Sequence, residues 1–324
     1  MTNTVLVTGG SGFIGSHLVE RLAQQGDRVA VYDNFDPYYD REIKQANIGP
    51  SLAMGNVRLA EGDILDRDKL FAVFEAARPA KVVHLAARAG VRPSFENPQS
   101  YVDTNVTGTL NVLLACRKYA IERLVFASSS SVYGSASAAA QENVTPLRPL
   151  SPYGASKVAG EALCSAFSRR SGLAVTALRF FTVFGPRQRP DMAVNRFTRM
   201  IMSGETVPVY GDGTSRRDYT YISDTIAGIV AALDADLPGF NVFNLGRGQP
   251  IMLRDLLKLI EFGLDRHARL RFVEDQQGDP QQTCADITRA HAVLGYEPRV
   301  STQNGVIRYT EWYLEQGRER VGSR

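Results

Sequence analysis

The chain has 324 residues, 44% of them hydrophobic, enough to bury one large core or two modest ones. Its 37 basic and 34 acidic residues nearly balance, so no global field directs it to nucleic acid or a lipid surface, and any anion site must be local. No apolar run approaches the roughly 20 residues that span a bilayer, and the first apolar segment already belongs to a glycine motif, which leaves no space for a leader. Cys116, Cys164 and Cys284 are odd in number, far apart and without a CxxC pair, which fits a reducing, cytoplasmic compartment. The four histidines lack ligand spacing, so no metal is expected.

Short apolar or β-branched runs at 4–8, 28–33, 57–61, 81–86, 123–128 and 174–180 alternate with helix-length stretches at 13–25, 66–77, 101–119 and 152–171. This alternation predicts a doubly wound, parallel α/β sheet of Rossmann type over residues 1–180. Beyond Phe180 the alternation weakens, and prolines and glycines punctuate shorter elements. Residues 181–324 are therefore expected to form mainly a smaller α/β substrate lobe, with an approximate boundary and elements that can interleave.

Directly after the first run, Gly9, Gly12 and Gly15 form a GxxGxxG pattern that leads through Phe13 and Ile14 into a periodic helix. Gly9 suits a tight turn, Gly12 a close backbone approach to a pyrophosphate, and Gly15 close helix–sheet packing, with the helix N-terminus facing phosphate. A glycine-rich turn without a ligand has the same pattern, so context has to decide. Asp33 ends the second run eighteen residues after Gly15 and is followed by Asn34. Its carboxylate can accept from an adenosine ribose and would repel a 2′-phosphate, favouring NAD over NADP, although a turn aspartate would look alike.

Further along, Ser128, Ser129, Ser130 and Ser131 end the fifth run, and Tyr153 and Lys157 stand four residues apart behind Pro152. Pro152 suits a first helical turn, so the two side chains should share one face. A lysine ammonium beside a phenol, near a nicotinium ring, favours phenolate and makes a general base near neutral pH. Such a pair also occurs on solvated helix faces. One or two of the serines should simply satisfy the strand end.

Taken together, the glycine loop, the serine-rich strand end and the Ser/Tyr/Lys spacing resemble the extended short-chain dehydrogenase/reductase family, over nearly the whole chain. The resemblance implies NAD as cofactor and Ser129, Tyr153 and Lys157 as catalytic residues. It places Asp63 and Ile64 by the adenine and Leu85, Ala86 and Ala87 along the cofactor cleft. It also implies a UDP-sugar substrate and a homodimer through a symmetric four-helix interface made by helices 101–119 and 152–171.

Within the family the likeness is strongest to UDP-glucuronate 4-epimerases, through the stretches 33–40, 89–92 and 179–193. By that likeness Thr182 and Arg189 would meet a substrate carboxylate, Arg217 the diphosphate, and Arg92, Ser130, Tyr210, Gln276 and Asp279 other parts of the nucleotide sugar. A forked guanidinium suits both anionic tasks. Related dehydratases carry Asp-Glu, and decarboxylases a glutamate, where this chain has Ser130 and Ser131. The expected activity is thus interconversion at C4 of UDP-glucuronate and UDP-galacturonate. UDP-glucose or UDP-N-acetylglucosamine 4-epimerisation, UDP-glucuronate decarboxylation and non-catalytic NAD binding are the alternatives.

Overall fold

The computed structural model describes residues 4–135, 139–274 and 280–322. Seven strands make the central sheet: β1 (Thr4–Thr8), β2 (Arg28–Asp33), β3 (Val57–Glu61), β4 (Lys81–His84), β5 (Arg123–Ser129), β6 (Ala174–Phe180) and β11 (Phe240–Leu245). Every pairing among them is parallel, in the order β11-β6-β5-β4-β1-β2-β3. Three two-stranded sheets lie outside it: β7 (Thr182–Phe184) with β10 (Tyr219–Tyr221), β8 (Thr206–Tyr210) with β13 (Arg269–Val273), and β9 (Arg216–Arg217) with β12 (Ile251–Met252).

The sequence explains why the sheet is covered on both faces. Neighbouring residues of a strand point to opposite sides, and both sides of these strands are apolar. Val5, Val7, Val29, Val31, Val83 and Val125 pack to one side, against the first helix (Phe13–Gln24) and the helix Ile222–Asp234. Leu6, Tyr32, Val82, Leu124 and Phe126 pack to the other, against the helices Arg67–Ala77, Thr109–Lys118 and Pro152–Ser171. Near-continuous apolar strands are what a doubly covered parallel sheet requires. All six predicted strands are observed, the fourth ending at His84, and the chain has the expected α/β, doubly wound architecture. One sheet strand, β11, comes from beyond residue 180, so the sheet draws on both halves of the chain.

Two features differ from the sequence reading. A helix at Arg41–Leu52, begun by Asp40 accepting from the Glu42 amide, went unread because Gly49-Pro50 interrupts its pattern. The stretch 101–119 is not one α-helix: Pro98–Val102 passes through a π-helical turn, Asp103–Gly108, into Thr109–Lys118. That wider turn presents Asn105, whose side-chain amide donates to the Arg88 carbonyl (2.9 Å) and to Ser156 Oγ (2.9 Å) while its oxygen accepts from the Arg88 amide (2.8 Å). A π-turn here ties the loop after β4 to the helix Pro152–Ser171.

Candidate active site

The direction of chain crossovers reverses between β1 and β4, and in such sheets the crevice opens at the carboxyl ends of the strands there. A cleft of about 390 Å³ lies at that point. Its floor is the glycine loop. The Gly12 amide donates to the Gly9 carbonyl (3.2 Å), closing the turn before the first helix. A Cβ on Gly15 would overlap the Gly9 carbonyl, and one on Gly9, at φ +72°, would come within 2.7 Å of the Ala86 amide nitrogen. Gly12 is different: its added Cβ would approach only that same carbonyl, at 3.3 Å, so the side toward the cleft is open. The loop is thus a cradle that a side chain would fill, with the amides of the first helical turn at its mouth, and it fits a dinucleotide pyrophosphate.

Asp33 is buried, 7% exposed, and both its oxygens are engaged: Oδ2 accepts from the Ser11 amide and Oδ1 from the Phe35 amide, each at 2.9 Å. Burial raises its pKa above the ordinary carboxylate value, against the pull of those amides. Asn34 Nδ2 donates to Asp63 Oδ2 (2.8 Å), which joins the ends of β2 and β3 over the adenosine end of the cleft. Phe13, Ile14, Ile64, Leu85, Ala86 and Ala87 complete the apolar walls.

At the other end stand Ser129, Tyr153 and Lys157. Ser151 caps the helix Pro152–Ser171 by accepting from the Gly154 amide (3.1 Å), so Tyr153 and Lys157 fall in its first turns, four apart and both lining the cleft. Lys157 Nζ donates to the Ala127 carbonyl (2.9 Å) and lies 6.0 Å from the centre of the Tyr153 ring; burial pushes its pKa down to about 8. Burial also raises the Tyr153 phenol above its ordinary value, opposed by a hydrogen bond with Ser129 and by the charge of Arg189. The expected lowering by Lys157 is therefore not what acts on the phenol within the protein alone, because the ammonium is turned to the strand end. Ser129 Oγ accepts from the Ser131 amide (3.1 Å) and donates to Ser131 Oγ (3.2 Å).

Behind these serines lies a buried ion pair. Arg179 Nε and Nη2 donate to Glu161 Oε1 (2.9 Å) and Oε2 (2.7 Å), Ser128 Oγ donates to the same carboxylate, and Arg179 Nη1 donates to Tyr133 OH (2.8 Å). Ser128 is thus the serine whose hydroxyl serves the strand end, while Ser129, Ser130 and Ser131 also line the cleft.

Thr182 and Arg189 line the same cleft. The loop carrying Arg189 is pinned on both the first helix and its own turn. Arg187 pairs with Glu20 of the first helix (2.7 Å), His17 Nε2 donates to the Pro186 carbonyl (2.9 Å), and Gln188 accepts from the Asn195 amide (3.2 Å) while donating to the Val183 carbonyl (3.2 Å). His17 is neutral there, burial pushing its pKa down to about 4.

The remaining substrate candidates are placed differently. Arg92 lies over the Tyr210 ring at 4.7 Å, and both are outside the cleft lining. Arg217, also outside it, sits in β9 with Nη1 donating to the Arg216 carbonyl (2.9 Å). Ser130 and Ser131 also line a smaller hollow of about 40 Å³ with Pro280 and Thr283, and Thr283 donates its amide to the Arg216 carbonyl (3.1 Å), so this hollow extends the cleft toward β9. Gln276 and Asp279 lie outside the described residues.

Sequence reasoning gave no role to Arg88, Tyr38, Lys44 or Asp191. Arg88 Nη2 donates to Asp36 Oδ2 (2.9 Å) across the cleft, Lys44 Nζ donates to the Asp36 carbonyl, and Tyr38 OH donates to Asp191 Oδ2 (3.2 Å). The loop 34–40 therefore spans the cleft from adenosine end to sugar end. Among the described residues no group of three His, Cys, Asp or Glu side chains could hold a metal ion, and no helix is long and apolar enough to cross a membrane.

Comparison with known proteins agrees with this architecture. The chain is 37% identical to a UDP-glucuronate 4-epimerase of Thermodesulfobacterium geofontis, over 96% of each. It is similar in structure, with a TM-score of 0.92 and 36% identity over 97% of this chain and 99% of the other, to the Bacillus cereus UDP-glucuronic acid 4-epimerase solved with UDP-glucuronic acid and NAD. A UDP-glucose 4-epimerase of Thermus thermophilus, solved with NAD, follows at a TM-score of 0.88 and 34% identity, over 96% and 99%. The profile of the NAD dependent epimerase/dehydratase family matches residues 5–246, three quarters of the chain, and with a glycine cradle and a Ser/Tyr/Lys set in one cleft the protein belongs to that family.

Proposed function

We propose that the protein is an NAD-dependent UDP-sugar 4-epimerase whose substrate pair is UDP-glucuronate and UDP-galacturonate. The observation that carries the substrate is Arg189: a guanidinium in the same cleft as Thr182, Ser129 and Tyr153 suits a hexuronate carboxylate. Likeness to UDP-glucuronate 4-epimerases supports it.

Gly9, Gly12 and Gly15 would hold NAD at its pyrophosphate and Asp33 would hold it at its adenosine ribose, and when bound there it would supply a reversible acceptor for the hydrogen on C4. Tyr153 takes the proton of the C4 hydroxyl and returns it, while Ser129 donates to the same oxygen and fixes its position. Lys157, held on the Ala127 carbonyl at the end of β5 and 6.0 Å from the centre of the Tyr153 ring, adds a cation to the site without bonding to the phenol. Arg217 and the hollow beside Ser130 and Ser131 take the diphosphate end, and that anchor stays in place while the 4-keto sugar turns over to present its other face. The segment beyond residue 180 supplies most of this nucleotide-sugar side. Reduced, unpaired Cys116 and Cys164, both buried, agree with a cytoplasmic setting. Leu163 and Phe167, half-buried on the helix Pro152–Ser171, agree with a homodimer formed through that helix, to be checked by analytical ultracentrifugation.

Incubation of the purified protein with UDP-glucuronate, UDP-glucose and UDP-N-acetylglucosamine, following C4 stereochemistry by NMR, tests the assignment. Interconversion of UDP-glucuronate without accumulation of NADH is expected. Turnover of only a neutral sugar would replace the substrate with UDP-glucose or its N-acetyl relative, and stoichiometric NADH would replace epimerisation with net oxidation.

A further inference from the structure

Arg189 does not stand free in the cleft. Its Nε donates to Asp191 Oδ1 at 2.9 Å and its Nη2 to Asp191 Oδ2 at 2.8 Å, a two-pronged ion pair between residues two apart. Tyr38 OH donates to the same Oδ2 at 3.2 Å, and the guanidinium carbon lies 5.5 Å from the centre of the Tyr38 ring. The Arg189 side chain is 20% exposed and that of Asp191 39%, so the pair sits at the rim with the arginine on the inner side. Burial alone would raise the Asp191 carboxyl, but the Arg189 fork holds it below the ordinary value, and it stays ionised.

A guanidinium is planar and carries five N–H groups in fixed directions. Asp191 takes the Nε–H and one Nη2–H, which form the side edge of the fork. The second Nη2–H and one Nη1–H form the end edge, and that edge can receive another carboxylate in the same plane. Arg189 also bears electrostatically on Tyr153, so the guanidinium lies within reach of the reacting end of the cleft. The backbone on either side is already fixed by Arg187 to Glu20 and by Gln188 to Asn195, so what remains to be ordered is the long side chain itself.

We propose that Asp191 is a positioning residue that fixes the side edge of Arg189, so that the end edge is presented to the substrate carboxylate, and that Tyr38 locks Asp191 in that pose. This rests on the carboxylate reading of Arg189 given above and deepens it. It also connects the two ligands: Tyr38 belongs to the loop 34–40, which begins beside Asp33 at the adenosine end, so the carboxylate grip is assembled only when that loop lies across the cleft. Since the side chain is ordered before substrate arrives, its conformational entropy is not lost on binding.

The test is calorimetric binding of UDP-glucuronate and UDP-glucose to the NAD-loaded protein, in a Tyr153→Phe background so that turnover does not intervene, with steady-state kinetics on the otherwise native chain. Asp191→Asn should weaken UDP-glucuronate about tenfold or more and UDP-glucose less than threefold, with the kinetic loss in KM rather than kcat. Tyr38→Phe should act in the same direction more mildly, and Asp191→Glu should recover part of the loss. Tighter UDP-glucuronate binding in Asp191→Asn would overturn the proposal, because Asp191 would then be a competitor for the fork. Equal weakening of both sugars would overturn it too, as support of the fold. Arg189→Ala separates the underlying reading: equal loss on both sugars there would remove the carboxylate role of Arg189 itself, whereas a selective loss with an unaffected Asp191→Asn would sink only the positioning role.

Discussion

Glu161→Gln is expected to destabilise the protein more than any surface change, and the reason lies in the network behind the serines at the end of β5. The Arg179 and Glu161 side chains are 4% and 7% exposed and share two hydrogen bonds. Neutralising one partner leaves the other charge buried and uncompensated, which costs about 3–5 kcal/mol. With an unfolding entropy of about 2.1 cal/mol/K per residue, a chain of 324 residues has about 0.7 kcal/mol/K in total, so the unfolding midpoint should fall by about 4–7 °C. Differential scanning calorimetry at neutral pH measures this. The pair Glu161→Leu with Arg179→Met should recover most of the loss, since a buried ion pair is often replaceable by apolar side chains of similar volume. A fall below about 1 °C in the single variant, or a double variant no better than the single, would refute the reasoning by showing that the charge left behind is hydrated.

Other outcomes follow from the same geometry. Tyr153→Phe should lower kcat by about 10²- to 10⁴-fold with little change in the unfolding midpoint; near-native turnover would remove Tyr153 from the mechanism. Gly15→Ala should weaken NAD binding, read by fluorescence titration, because the new Cβ overlaps the Gly9 carbonyl, whereas Gly49→Ala, outside the cleft lining, should leave NAD affinity unchanged. Lys157 gives a pH signature: its folded pKa, pushed down to about 8, lies below the unfolded value of about 10.4, so the unfolded chain holds more protons between those values and stability should rise with pH there. Lys157→Met should flatten that rise in denaturant titrations of the NAD-free protein, and an unchanged slope would place the ammonium in water. On UDP-glucose, Arg189→Ala should move the acidic limb of the kcat profile to higher pH, since the charge of Arg189 is one of the influences holding the Tyr153 phenol down.

The parts of the fold that local chemistry writes into adjacent residues were legible in advance. The strands show as β-branched runs because both sheet faces bury them, and the glycine loop shows because Gly9 and Gly15 have no space for a side chain. The helix Arg41–Leu52 was hidden by Gly49-Pro50, and the π-turn at Asp103–Gly108 has no residue pattern of its own. Spacing along the chain was enough to single out Ser129, Tyr153 and Lys157, which line one cleft. The site was not legible where it depends on contacts across the cleft: Tyr38 meets Asp191 from 153 positions away and Arg88 meets Asp36 from 52. The direction of Lys157 Nζ, toward the Ala127 carbonyl and not the phenol, depends on how closely the helix lies on β5, which spacing along a helix does not specify.

The arrangement of charge in the cleft also explains which chemistry this chain does not favour. Oxidation of a hexuronate at C4 makes a β-keto acid, which loses carbon dioxide readily when the bond to the carboxylate aligns with the carbonyl π system and a proton donor meets the resulting enolate. Elimination chemistry on a 4-keto sugar likewise needs an acid and a base beside the ring. Among the described residues the carboxylates that line the cleft are Asp33, Asp36 and Asp63. Asp33 is held by two backbone amides, Asp36 by Arg88, and Asp63 by Asn34, all on the adenosine side. Around Tyr153 the polar groups are instead hydroxyls, Ser129, Ser130, Ser131 and Thr182, with the cations Lys157 and Arg189. Hydroxyls of ordinary acidity can orient a ketone but are poor proton donors to an enolate at neutral pH. A cation fixed by Asp191 can hold a substrate carboxylate out of line with the carbonyl and stabilise it as an anion, which disfavours its departure as neutral carbon dioxide. Among the described residues Tyr153 is then the group at this end suited to exchange a proton with the sugar, and what a single acid/base beside a recycled cofactor can complete is removal and return at the same carbon.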